Sequence, residues 1–113
     1  MNQCPPLPKP SAVKQRHRLP TEAMIETRVV QYARARGLRA DKFTSPNRRS
    51  VPDRIVLCPG GRMFFIEFKR PKLGKVTEGQ AREHEDLRRL GFEVYVIDDI
   101  DEGKELIDRY VDA

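Results

Sequence analysis

Val51-Pro52-Asp53-Arg54-Ile55-Val56-Leu57 and, across a glycine turn, Phe64-Phe65-Ile66-Glu67-Phe68-Lys69 read as two short apolar strands, each broken by charge where a buried strand carries none. Side chains alternate along a strand, so Phe64, Ile66 and Phe68 share one face while Phe65, Glu67 and Lys69 share the other. Glu67 and Lys69 then project side by side, about 6.5 Å apart at their Cα atoms. A carboxylate and an ammonium in so hydrophobic a setting are costly unless paired, solvated or metal-bound. Breaks of local pattern of this kind mark sites of chemistry.

Working outward, Pro59-Gly60-Gly61-Arg62 is a hairpin signal that joins the two strands. Leu38 to Thr44 is expected as a strand before them, followed by the polar, basic loop Ser45-Pro46-Asn47-Arg48-Arg49-Ser50. Pro71 ends the later strand, since it cannot donate to a ladder, and Lys72-Leu73-Gly74-Lys75 follows as a basic loop. Upstream, Pro20-Thr21 opens a helix that Gly37 stops, with Thr21 as N-cap and Ile25, Val29, Ala33 and Arg36 on the core-facing stripe. Glu22 and Glu26 fall on that stripe. Glu22 suits the positive end of the helix dipole, whereas Glu26, a turn deeper, calls for a cation.

Downstream, Thr77-Glu78-Gly79-Gln80 has capping-box spacing and starts a helix to Gly91, with Ala81, His84, Leu87 and Leu90 on its apolar side. Residues 92–97 form a further strand and 101–111 a closing helix. The order is α-β-β-β-α-β-α. A hairpin followed by a helical crossover gives an α/β fold with a mixed central β-sheet flanked by helices.

The chain of 113 residues is sized for one domain, with 38% hydrophobic and 35% charged residues. Residues 1–19 hold Pro5, Pro6, Pro8 and Pro10 with Lys9, Lys14, Arg16 and Arg18 and no acid, the composition of a flexible basic arm ahead of a domain at 20–113. Such an arm either adds phosphate contacts or is an ordinary flexible terminus. No apolar run approaches a membrane span and no signal-peptide core opens the chain, so an intracellular, cytoplasmic protein is expected. Cys4 and Cys58 with His17 and His84 match no zinc spacing.

The net charge of +5 is uneven. Cations including Lys42, Arg48, Arg49, Arg70, Lys72 and Lys75 crowd the middle, and acids from Glu93 to Asp112 crowd the end. A basic patch beside the central strands suggests a polyanion such as nucleic acid, the weaker alternative on charge alone being a merely solvated surface.

If the two strands pair as a hairpin, Asp53 and Glu67 lie about 5 Å apart on neighbouring strands. Glu26 and Lys69 complete a group of three acids and a lysine. Two carboxylates so close repel, and a hard divalent cation resolves the repulsion. Oxygen donors without His or Cys indicate Mg²⁺, with Mn²⁺ able to substitute. Such an ion suits phosphoryl chemistry, with the lysine orienting water or countering charge on the phosphate. The competing reading is a structural Glu67–Lys69 pair beside an exposed Asp53.

Pro52-Asp53 followed by Glu67-Phe68-Lys69 resembles the signature of the PD-(D/E)XK nucleases. Ser50-Val51-Pro52-Asp53-Arg54, Gly60-Gly61, Phe65-Ile66-Glu67-Phe68-Lys69, Gln80 and Leu90-Gly91 look more closely like its VRR-NUC subfamily, over roughly residues 20–98. Ser50 stands where that subfamily commonly has glycine. The resemblance implies a restriction-endonuclease-like core in which Asp53, Glu67 and the Phe68 carbonyl ligate the metal. It further implies that Lys69 positions the attacking water, Glu26 helps hold the ion directly or through water, and Gln80 supports the site. The implied activity is Mg²⁺-dependent, structure-specific DNA endonuclease action leaving a 5′-phosphate, most naturally on four-way (Holliday) junctions by a homodimer, with no small-molecule cofactor. Alternatives are a repair- or restriction-type nuclease on flap or linear DNA, and a non-catalytic nucleic-acid-binding module.

Overall fold

The computed structural model describes residues 19–113, so the N-terminal arm, all but Leu19, lies outside the described residues. Helix α1 spans Glu22–Ala35, strands β1, β2 and β3 span Arg39–Lys42, Arg54–Leu57 and Met63–Phe68, helix α2 spans Glu78–Arg89, strand β4 spans Val94–Ile97, and helix α3 spans Ile100–Asp112. The order is the one expected from the sequence, with β1, β2 and β4 shorter than expected and β3 shifted one residue toward the N-terminus. Among the described residues no helix is long and apolar enough to cross a membrane.

The four strands form one sheet in the order β1-β2-β3-β4, antiparallel between β1 and β2 and between β2 and β3, and parallel between β3 and β4. The parallel pair needs a crossover, and α2 supplies it. The β2–β3 turn is the short 3-10 segment Pro59–Gly61, where Gly60 (φ 83°) and Gly61 (φ 80°) adopt the left-handed backbone that only glycine takes freely. The register Arg54↔Ile66 through Leu57↔Met63 is thereby set.

Alternation then sorts the two faces of the sheet. Val56, Phe64, Ile66, Phe68 and Ile97 pack with Ile25, Val29 and Ala33 of α1 and Leu106 and Ile107 of α3 in the main core. Gly103 of α3 permits the two helices to meet, because a Cβ there would collide with Val29. Arg36, expected on the core stripe of α1, instead pairs with Asp108 and Asp112 and so ties α1 to α3.

The opposite face is smaller and more polar. Phe65 stacks on Phe43 (5.3 Å between centroids) and meets Phe92 edge-on. Helix α2 covers this face, and the residues it buries are Glu83 and His84. The apolar side expected from the sequence is therefore corrected: Ala81 is exposed and Leu90 is 73% exposed. The inward stripe is Gln80, Glu83, His84 and Leu87, which follows helical i, i+3, i+4, i+7 spacing. It is polar because the strand beneath it presents Glu67.

Ser50 enters β2 with φ +65°, a backbone region in which a side chain costs about 1–2 kcal/mol. Val51 and the buried Pro52 follow it. Ser50→Gly is expected to leave the protein equally stable or up to about 1 kcal/mol more stable. Ser50→Val is expected to cost at least as much as Ser50→Gly gains, and thermal denaturation of the two variants checks both.

Candidate active site

One residue beyond Arg54↔Ile66, the β2–β3 register sets Asp53 opposite Glu67, so both carboxylates leave the sheet on the α2 side. Asp53 Oδ2 accepts the Phe68 backbone N–H at 2.8 Å, which fixes its orientation. Glu67, from the fifth position of β3, is 2% exposed. Its Oε2 accepts the Gln80 side-chain amide at 2.8 Å and lies 3.5 Å from Lys69 Nζ. Lys69 Nζ donates to Gln80 Oε1 at 2.8 Å.

Gln80 holds this group together. Its Oε1 also accepts the Thr77 N–H at 3.0 Å while its own N–H donates to Thr77 Oγ1 at 3.1 Å, completing the capping box at the start of α2. The same side chain thus caps the helix and clamps Lys69 to Glu67. With Oε1 engaged by two donors, only its NH₂ can face the carboxylate.

Burial and the neighbouring charges shape both acids. Removal from water pushes the Glu67 carboxyl up to about 7, helped by the charges of Asp53 and Glu22 and opposed by Lys69. Asp53 is also raised, chiefly by burial, with the Phe68 N–H holding it down and Glu26 pushing it up. Glu67 Oε1 is buried without a hydrogen-bond partner, as is His84 Nε2 at 3.7 Å from it. The His84 imidazole is kept below its ordinary pKa by burial and by Arg88 and Lys69, against the pull of Glu83.

Among the described residues no three His, Cys, Asp or Glu side chains converge as a self-sufficient metal cage. Two hard carboxylates set opposite each other nevertheless fit Mg²⁺ or Mn²⁺, which bind through one or two carboxylates and keep several waters. A zinc cage does not fit this donor set.

The structure does not bring Glu26 into this group. Arg54, pointing to the α1 face, takes Glu26 Oε2 at 2.7 Å and also donates to the Ala40 carbonyl. The cation that Glu26 calls for is an arginine, and Glu26 reaches the site only through its charge on Asp53. Of the basic candidates, Arg48 is held by Glu83 at 2.7 Å and approaches Asp86 at 3.6 Å. Lys42, Arg49, Arg70, Lys72 and Lys75 are exposed and make no ion pair among the described residues. Lys42 is near enough to Asp53 to lower its pKa, and Arg70, Lys72 and Lys75 follow directly on Lys69.

His84 is the site neighbour that sequence reading assigned to an apolar side. The available signal was its place one helical turn after Gln80.

The raised Glu67 carboxyl has a measurable consequence. Its folded pKa, about 7, lies above its ordinary 4.5, so across that window the folded chain keeps a proton that the unfolded chain releases. Stability contributed by this group is full at low pH and declines as the pH rises. In EDTA, the thermal midpoint is expected to fall between about pH 5 and pH 8, and Glu67→Gln is expected to flatten that fall.

No family model matches the chain. A protein named "Putative nuclease p44", from Acyrthosiphon pisum secondary endosymbiont phage 1, is 46% identical over 84 residues, covering 74% of this chain and 89% of that protein. A solved structure described as a VRR_NUC domain superposes with a TM-score of 0.73 at 28% identity, covering 80% of this chain and 99% of that one.

Proposed function

Because the chain belongs to the VRR-NUC family of nucleases, we propose that it is a divalent-cation-dependent DNA endonuclease that cuts branched DNA, four-way junctions above all, as a homodimer. The observation that carries this reading is the opposed pair Asp53 and Glu67 on neighbouring strands, with Lys69 clamped beside them by Gln80. A non-catalytic DNA-binding module has no use for paired acids, which repel phosphate.

Asp53, Glu67 and the Phe68 carbonyl would hold Mg²⁺ or Mn²⁺, which when bound polarises the phosphate and lowers the pKa of water. Hydrolysis adds water across one P–O bond, releasing the 3′ oxygen as a hydroxyl and leaving the phosphate on the 5′ end. Lys69 Nζ, fixed by Gln80 Oε1, orients the attacking water and counters negative charge that grows on the phosphate. The Phe68 N–H keeps Asp53 from rotating away. Glu26, neutralised by Arg54, is a support for β2 rather than a ligand.

Lys42, Arg49, Arg70, Lys72 and Lys75 supply phosphate contacts around the carboxylates. A domain this small has little surface with which to grip a branch, and two copies about a two-fold axis would double it and present two sites to two strands. The test supplies Mg²⁺ with end-labelled four-way junctions, flaps and linear duplex of one sequence. Preferential cutting of junctions, with 5′-phosphate and 3′-hydroxyl ends, is expected. Equal cutting of linear duplex would replace the branched-substrate reading with a repair- or restriction-type nuclease, and no cutting of any substrate would remove the enzymatic one.

A further inference from the structure

His84 faces the one oxygen of Glu67 that nothing else holds. Oε2 of that carboxylate is fixed by Gln80, while Oε1 and His84 Nε2 are both buried, both without a hydrogen-bond partner, and 3.7 Å apart. Each such orphan is destabilising while it stays unmatched. Both atoms are shut off from solvent, and a shift of less than 1 Å brings them to about 2.9 Å, the ordinary N–H···O distance. Gln80 and His84 are one helical turn apart on α2, so a single helix face turns both side chains toward the carboxylate.

We infer that His84 is a positioning residue, whose Nε2–H donates to Glu67 Oε1 and, with Gln80 on Oε2, sets the plane and rotation of the carboxylate that receives the divalent cation. The inference rests on the reading of Glu67 as a metal ligand. A ligand carboxylate held from behind offers its remaining lone pairs in one direction only, and groups that hold ligands in this way are worth about 10- to 100-fold in metal affinity or activity. The neutral imidazole has one N–H, so this role requires the Nε2–H tautomer and leaves Nδ1 as an acceptor.

Long-range ¹H–¹⁵N spectra of the metal-free full chain at about pH 8, with Glu67 a carboxylate, are expected to show His84 as the Nε2–H tautomer, and the Nδ1–H tautomer would overturn the inference. His84→Gln, whose amide can reach the Nε2 position, is expected to bind Mn²⁺ within about threefold of wild type. His84→Phe keeps the volume without the donor, and is expected to lose about tenfold or more in Mn²⁺ affinity and in kcat, with KM for DNA unchanged and a thermal midpoint no lower. Wild-type Mn²⁺ affinity in His84→Phe, or equal losses in both variants, would overturn it. Should His84→Phe not fold, the tautomer in the wild-type chain decides. A wild-type chain that neither binds Mn²⁺ nor cuts DNA defeats the nuclease reading, while the tautomer still reports on the contact with Glu67.

Discussion

Asp53→Asn is expected to lower DNA cleavage by about 10³-fold or more and, at the same time, to make the metal-free protein more stable. Both effects follow from one feature. Asp53 and Glu67 stand opposite each other, burial raises both carboxyls above their ordinary range, and the charge of Asp53 raises Glu67 further. Asparagine keeps an oxygen to accept the Phe68 N–H, so the local hydrogen bond survives while the repulsion ends. A gain of about 1 kcal/mol in the unfolding free energy is the expected scale. Loss of activity with gain of stability is the mark of a site strained for function. Loss of both would make Asp53 a structural residue, and retention of activity would remove it from the site.

Lys69→Met separates the second role from the first. Its cleavage rate is expected to fall by about 10²- to 10⁴-fold, the range for removing a positioned proton-handling group. Affinity for Mn²⁺ at about pH 8 is expected to hold or rise, because an ammonium 3.5 Å from Glu67 Oε2 opposes a second cation there. Isothermal titration on the same preparation as the cleavage assay compares the two. Parallel loss of binding and cleavage would mean that Lys69 acts by holding Glu67 in place rather than by acting on water or phosphate.

Much of this site was legible in the chain because β-strand alternation is strict. Once Pro59-Gly60-Gly61-Arg62 marked the hairpin, the opposition of Asp53 and Glu67 followed, and the register has it. Gln80 was legible as a capping residue and as a family position. That one side chain serves both uses follows from its two ends, and the sequence could not show which atoms it meets.

Glu26, Arg48 and His84 were not legible, for related reasons. Helix periodicity places a residue on a face but does not say which partner arrives there from a distant segment. Arg54, one residue past Asp53, points to the other side of the sheet and takes Glu26. Arg48, read as a phosphate contact, pairs with the buried Glu83, a partner that the sequence did not announce. His84 sits among apolar spacings, and its importance depends on Glu67 rising beneath it. Expecting α2 to bury leucine and alanine assumed an apolar floor, whereas this helix covers the charged face of β3. The left-handed backbone at Ser50 is one that glycine takes without cost, which the sequence pattern alone could not show.

The most direct test of the central claim, that Asp53 and Glu67 form a divalent-cation site for phosphodiester hydrolysis, is a Mn²⁺ titration of the full chain followed by electron paramagnetic resonance. Saturable binding is expected in the wild type, over the same concentration range that switches on cutting of a four-way junction, and is expected to disappear in Asp53→Asn. A wild type without saturable binding, or an Asp53→Asn variant that binds as tightly, would contradict it.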